Sequence, residues 1–189
     1  MNAPATKTIT GSPNMLKTLL LIVLAAIALV LVYATTRPDT FRVERSARIQ
    51  APPARVFPLI NDLHAFNTWN PYEKKDPAIK GTYGAVTSGP GATYAWESKE
   101  VGVGEMRIET AVPDSSVTMR LTFIKPFSAV NQVNFTLTPA GDGTQVTWAM
   151  EGRLNYVAKL MHLFFNMDSM VGKDFEDGLT NLKTLAEKR

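Results

Sequence analysis

Few side chains in this sequence have the type and spacing that enzyme chemistry requires. The two histidines, His64 and His162, lie far apart in the chain, and neither belongs to an HExxH metal motif. The chain has no cysteine, which excludes disulfides, thiolate catalysis and cysteine-ligated metals. No G-x-S-x-G nucleophile motif occurs. The residues therefore predict no metal, no cofactor and no catalytic side chain.

Glu105 and Glu109 could act as a pair of catalytic carboxylates. They flank Arg107 in a stretch where polar and apolar residues alternate. Two carboxylates that face a substrate from both sides can hydrolyse a glycosidic bond. This polar parity, however, is predicted to face solvent, as one side of an antiparallel sheet commonly does. We interpret the pair as solvated surface charge.

The polar groups expected on the opposite, apolar side of the same strands are Tyr94, Ser98 and Asn131. None of them is charged at neutral pH. Asp174 and its acidic neighbours are expected on the exposed face of a C-terminal helix. The sequence therefore predicts no charged acid or base inside the domain.

Alternation with a period of two predicts the strands that carry these residues. Residues 41–50 form a first strand, and residues 79–153 form about six more, separated by Gly- and Pro-containing turns. Helical spacing between them predicts two short helices, the second of which contains Phe66 and Trp69 and ends at Pro71. The result is an antiparallel meander with one apolar and one polar face.

The C-terminal segment predicts a long amphipathic helix. Its charged residues fall on one face, and its apolar residues form a stripe: Val171, Phe175, Leu179, Leu182 and Leu185. Gly178 shares the apolar face, where we expect it to let the helix approach the sheet closely. Helices gathered on one face of an antiparallel sheet make an α+β fold.

The N-terminal segment has a different character. Residues 19–34 are apolar without a break, and Met15 and Leu16 extend the run across Lys17. At ~1.5 Å per helical residue this stretch spans the ~30 Å of a bilayer core. We predict an uncleaved transmembrane anchor at 15–34. A cleaved signal peptide is the alternative, but the run is long for one and Tyr33 is bulky for a cleavage site.

The chain is predicted to have four parts. We predict a disordered tail at 1–14, the anchor, a linker at 35–40, and one domain at 41–189, expected to be a monomer. Counting positive charges would keep this domain in the cytoplasm. The arginines after the span belong to a predicted folded strand, however, and folded domains follow that rule poorly. The side stays open, and we favour the extracytoplasmic one.

Charge and composition restrict the partners. The net charge is +3, but Lys and Arg are dispersed along the chain. Nucleic-acid binding requires a clustered basic surface, so we predict no nucleic-acid partner. With 45% hydrophobic and 20% charged residues, the composition is that of a globular protein.

Three stretches resemble a known superfamily: 44–72, 102–123 followed by the turn and strand at 141–151, and 170–188. They are similar to the START/Bet v 1-like helix-grip proteins (SRPBCC), and specifically to the polyketide cyclase/dehydrase and lipid-transport group. The resemblance implies a curved antiparallel sheet of about seven strands wrapped on a long C-terminal helix, with two short helices after the first strand. It implies a cavity between the sheet and the helix, and it supplies no shared catalytic motif.

The inward residues then become candidate walls of a ligand site. They are Trp69, Tyr94, Trp96, Met106, Ile108, Met119, Leu121, Phe135, Trp148, Met150, Phe175 and Leu179. An ordinary filled core is the alternative for each of them. The aromatic corner of Phe66, Trp69 and Tyr72 is expected to close one end of the cavity.

Three functions follow from these expectations. The first is membrane-tethered binding or transport of a small hydrophobic ligand, such as a lipid, a quinone or a polyketide-like molecule. The second is a cyclase- or dehydratase-like enzyme, which would need a titratable group in the cavity. The third is a protein-interaction module like the chaperone activators, which would need an exposed apolar patch on the convex face.

Overall fold

The computed structural model describes residues 13–164 and 166–188. Its strands are β1 (Thr40–Ile49), β2 (Lys80–Tyr83), β3 (Thr93–Glu97), β4 (Val103–Val112), β5 (Ser116–Lys125), β6 (Ala129–Ala140) and β7 (Gly143–Arg153). Its helices are α1 (Pro13–Thr35), α2 (Pro53–Asn61), α3 (Leu63–Trp69), α4 (Pro71–Lys75), α5 (Tyr156–Phe164) and α6 (Met167–Glu187).

The seven strands form one antiparallel sheet in the order β1-β7-β6-β5-β4-β3-β2. Strand β1 extends the β2–β7 meander at one edge, where it pairs with β7 from Thr40↔Arg153 to Ile49↔Thr144. The first and last strands of the domain therefore lie side by side. Helix α6 packs along β1 and β7 with Phe175, Leu179 and Leu182 buried. The predicted α+β helix-grip fold is confirmed.

The corner after β1 contains three short helices, where the sequence predicted two. Asp62 caps α3, because its Oδ1 accepts hydrogen bonds from the backbone N–H groups of His64 and Ala65 at 2.8 and 3.0 Å. The Asn70 side chain likewise accepts from the backbone N–H of Tyr72 at 3.3 Å and begins α4. Pro71 therefore starts a helix as well as following one, as the first helical position allows.

Helix α5 is an element that the sequence reading missed. It is only nine residues long, which is shorter than the window of about 11–18 residues over which helical spacing is recognised. Asn155 caps it by accepting a hydrogen bond from the backbone N–H of Ala158 at 2.8 Å. The chain thus makes a short helical step between β7 and α6.

Two glycines in α6 allow close contact with the sheet. A Cβ at Gly178 would lie 2.6 Å from Cζ3 of Trp148, so the expected close approach of helix and sheet is confirmed. A Cβ at Gly172 would lie 2.0 Å from Nη2 of Arg45. Gly172 thereby leaves room for this guanidinium, which pairs with Asp168 at 3.1 Å.

Helix α1 begins at Pro13, two residues before the predicted anchor, so Pro13 and Asn14 are helical rather than part of a tail. The rest of the predicted tail lies outside the described residues. Residues 14–35 are long and apolar enough to cross a membrane, and a signal sequence would have the same properties. Of the side chains in this stretch, only Ala34 is buried.

A chain that starts at Arg37 is expected to fold as a soluble monomer. The exposed α1 contributes little to the core, whereas β1 and the Asp39 contacts are retained. Circular dichroism and size-exclusion chromatography of residues 37–189, compared with the full chain in detergent, would check this. An unfolded product would show that the domain boundary lies elsewhere.

Candidate functional site

A cavity of about 1150 Å³ lies between the sheet and the N-terminal half of α6. Its walls come from the concave face of β3 to β7, from α4 and α5, and from the segment 126–129. Seven of the twelve side chains predicted from the sequence line it: Tyr94, Trp96, Met106, Leu121, Trp148, Met150 and Phe175. Six of them share one face of neighbouring strands, and Phe175 contributes from α6.

The other five predicted side chains lie in filled core instead. They are Trp69, Ile108, Met119, Phe135 and Leu179, all at most 2% exposed and none of them on the cavity wall. Helix α2 packs on β5 and β6, which carry Met119 and Phe135. We therefore leave these five out of the proposed site.

The boundary between core and cavity runs across the strands. Met106 pairs with Leu121, and the next pair on the same face is Ile108 with Met119. The first pair lines the cavity and the second is buried in the core. Strand parity predicts which face these residues share, but it cannot predict how far a helix reaches along that face.

The aromatic corner divides in the same way. Phe66 and Tyr72 line the cavity, as expected, whereas Trp69 does not. The indole Nε1 of Trp69 donates a hydrogen bond to the backbone oxygen of Leu59 at 2.7 Å. This bond ties α3 to α2. Trp69 therefore supports the corner, and its two neighbours face the open space.

Charged groups lie at one end of the cavity, contrary to the sequence prediction. Tyr94 Oη donates to Glu73 Oε1 at 2.5 Å, and Lys75 Nζ lies 2.7 Å from Asp174 Oδ2. Together with Tyr72 these residues line the cavity. We call this group of five, Tyr72, Glu73, Lys75, Tyr94 and Asp174, the polar cluster.

Three members of the polar cluster, Glu73, Lys75 and Asp174, were not predicted from the sequence. Glu73 and Lys75 lie on α4, which the sequence reading did not predict although Asn70-Pro71 is a common helix start. Asp174 was assigned to solvent. It follows Val171 by three residues, a spacing that places both on one face of a helix and is a usable signal.

The two tyrosines of the polar cluster stay protonated at neutral pH. Burial, and then the negative charge of Asp174, raise the pKa of Tyr72 well above its ordinary value. Burial, and then the hydrogen bond to Glu73, raise the pKa of Tyr94. The cluster thus offers hydroxyl groups and carboxylates side by side at the edge of an apolar space.

Alkaline pH is expected to destabilise the domain through Tyr72. In the unfolded chain Tyr ionises near pH ~10, whereas the folded state holds this hydroxyl protonated. The stabilisation is therefore present below pH ~10 and is lost as the pH rises further. The urea midpoint of residues 37–189 should fall between neutral and alkaline pH, and this fall should be smaller for Tyr72→Phe than for wild type. An equal fall would contradict the shifted pKa.

The remaining polar candidates have separate positions. Asn131 lines the cavity, but Ser98 does not, because its hydroxyl donates to Asp76 Oδ2 at 2.7 Å. His162 lines the cavity, and burial lowers its pKa, which favours the neutral ring. His64 lies outside the cavity walls and stacks on Tyr83 with ring centroids 3.7 Å apart.

The glutamate pair lies on the opposite side of the sheet from the cavity. Glu105 is exposed, and Glu109 pairs with Arg120 at 2.6 Å. Neither carboxylate lines the cavity. Their interpretation as solvated surface charge stays a prediction.

The family model described as "Polyketide cyclase / dehydrase and lipid transport" matches residues 40–187, which include every strand and the whole of α6. The chain belongs to this family. The resemblance seen in the sequence is thus confirmed. No curated protein matches the chain.

Several solved structures of low sequence identity share this fold. Protein CV1439 from Chromobacterium violaceum is 18% identical with a TM-score of 0.58, over 81% of this chain and 100% of its own. Ara h 8.0201 is 12% identical with a TM-score of 0.54, over 78% of this chain and 97% of its own. The Aha1 dimer from Colwellia psychrerythraea is 15% identical with a TM-score of 0.53, over 78% and 96%. At these identities the likeness concerns the fold.

Proposed function

We propose that this protein binds or carries a small amphipathic ligand with a long apolar part, while α1 tethers it to a membrane. The observation that carries the proposal is the pairing of apolar walls with the polar cluster in one cavity. Ligand sites are mostly apolar, with a few polar groups that fix orientation. A ligand with an apolar chain and a polar end matches this division.

The size of the cavity supports a lipid-like or polyketide-like ligand. Its volume, about 1150 Å³, is slightly larger than the ~300–1,000 Å³ usual for ligand pockets. Met106 and Met150 contribute flexible thioether side chains to its walls. Such side chains adapt to irregular apolar shapes.

The polar cluster would bind the polar end of the ligand. Tyr94 and Tyr72 present neutral hydroxyl groups, and Lys75 supplies a positive charge paired with Asp174. Because the Tyr94 hydroxyl already donates to Glu73, a ligand hydroxyl could donate to Tyr94 Oη or to a carboxylate of the cluster, and a ligand carbonyl or carboxylate could accept from Lys75 Nζ. Glu73→Gln would keep the shape of the cluster while removing one charge, and it is a matched variant for testing recognition of the polar end.

The proposal is tested by native mass spectrometry of residues 37–189 purified without detergent. We expect an adduct with the mass of a lipid or a comparable small molecule, and competition by an apolar fluorescent probe. A folded domain that carries no adduct and binds no apolar probe would contradict the proposed binding function.

A cyclase- or dehydratase-like activity is the second candidate, because titratable groups do line the cavity. Glu73 beside Tyr94, and Asp174 beside Tyr72, are pairs in which a carboxylate lies next to a protonated hydroxyl. Such pairs can exchange a proton with a bound carbonyl compound. Detection of a converted product that is lost in Glu73→Gln, with ligand binding retained, would favour this function over binding alone.

We also propose that α1 stays uncleaved and that the domain lies outside the cytoplasm. The length of the apolar helix, together with its contact to the domain, where Tyr156 Oη donates to Leu31 O at 2.9 Å, supports the uncleaved anchor. A C-terminal fusion to a reporter that is active only outside the cytoplasm should give signal. A silent reporter with an active cytoplasmic counterpart would place the domain on the other side.

A further inference from the structure

Helix α5 exposes an apolar stripe next to the cavity. Val157, Met161 and Phe164 recur at i, i+4 and i+7, and their side chains are 58%, 40% and 72% exposed. Phe127 and Met170 are 64% and 60% exposed. Of these five residues, all but Phe164 also line the cavity, so they mark its open side. We call the five the mouth patch.

The mouth patch is attached to the end of α1. Tyr156, the first residue of α5, donates its hydroxyl to the backbone oxygen of Leu31 at 2.9 Å. Leu31 precedes the end of α1 at Thr35 by four residues, which is ~6 Å along a helix axis. An amphipathic helix at a membrane surface buries its apolar face by ~5–10 Å. The contact therefore places α5 at the depth of an interfacial helix if α1 spans the bilayer.

The linker between α1 and β1 also holds α5 in place. Lys159 of α5 is only 8% exposed and forms an ion pair with Asp39. The backbone oxygen of Asp39 also accepts a hydrogen bond from the N–H of Leu154 at 2.7 Å. With Tyr156 bound to α1 and Lys159 bound to the linker, α5 is held beside the end of the apolar helix.

We propose that the mouth patch is seated in the lipid leaflet at the Thr35 end of α1, so that the cavity opens directly into the acyl-chain region. The ligand class would then be a membrane lipid or a lipid-like molecule that enters sideways from the leaflet without crossing water. This inference rests on the proposed tether and on the proposed binding function. The occupant of the mouth patch is the bilayer itself, because the patch is continuous with α1.

The absence of cysteine permits a direct test in the full chain. Single variants Phe164→Cys and Val112→Cys are labelled with an environment-sensitive fluorophore and reconstituted into phosphatidylcholine vesicles. Val112 is a matched control, because it is 53% exposed and lies outside the cavity walls on β4. We expect nitroxide lipids, labelled on the upper acyl chain, to quench the label at position 164 and to leave the label at 112 unaffected.

Two results would overturn the inference. The first is equally weak quenching at both positions. The second is a label at position 164 whose emission responds to the protein-to-lipid ratio but not to nitroxide lipids, because a second copy or another protein would then cover the patch. Neither result depends on ligand binding, so the proposed binding function could still hold.

A charge in the patch tests the entry route. Phe164→Glu changes a residue outside the cavity wall, and Val112→Glu is its control. Uptake of a fluorescent lipid from vesicles should be about tenfold slower in Phe164→Glu, since an exposed aromatic side chain that would enter the leaflet is replaced by a charge. Affinity for the same lipid delivered from micelles should not change. Equal uptake by the two variants would overturn the entry route, whereas loss of binding in every form would overturn the binding function instead.

Discussion

Trp148→Leu is expected to lower the free energy of unfolding of the domain by about 3–5 kcal/mol, the range found when a large aromatic side chain is truncated in a core. The Trp148 side chain is 3% exposed and stacks on Phe175 with ring centroids 4.1 Å apart. It also touches the site of Gly178 on α6. Urea denaturation of residues 37–189 would measure the change.

The same substitution should also change ligand affinity, because Trp148 lines the cavity. We expect a change of about 1 kcal/mol or more for an apolar probe, as the ring supplies a large part of the apolar wall. Trp148→Phe is the milder variant. It can keep the stacking on Phe175, and it removes an indole N–H for which the described part of the chain offers no acceptor.

Leu182→Ala separates the two effects. Leu182 is fully buried but does not line the cavity, so this variant should lose about 2–5 kcal/mol of stability and keep its probe affinity. If Trp148→Leu and Leu182→Ala both lose stability while probe binding is unaltered or absent in each, the cavity binds no apolar ligand.

The second large effect is expected from filling the cavity. Met106 and Leu121 face each other across β4 and β5, and both line the cavity. The double substitution Met106→Trp/Leu121→Trp places two large rings into open volume. Probe affinity should fall about tenfold or more, equal to about 1.4 kcal/mol, while the domain stays folded because the added atoms enter empty space. Fluorescence titration measures the affinity.

Val112→Trp is the control for this experiment, since Val112 lies on the same strand but is exposed away from the cavity. It should bind the probe as wild type does. Unchanged affinity in the folded double variant would show that the probe binds elsewhere. Together with the Trp148 series, this experiment distinguishes a ligand cavity from a filled core.

The strands and the long C-terminal helix could be predicted from the sequence because their signals are local. Alternation along β4 and β5 assigned Met106, Ile108, Met119 and Leu121 to one face, and all four do lie there. The apolar stripe of α6 and the apolar run of α1 predicted these two helices from equally local patterns. A period of two or of 3.6 residues is a property of the chain itself.

Only the tertiary structure decided which of these inward residues border empty space. Ile108 and Met106 have the same parity and are both apolar, yet Ile108 is fully buried in the core and Met106 borders the cavity. The tertiary structure also brings together Glu73 of α4, Tyr94 of β3 and Asp174 of α6, which are distant in sequence. Burial by a helix and convergence of three elements depend on long-range packing, which no local pattern in the sequence encodes.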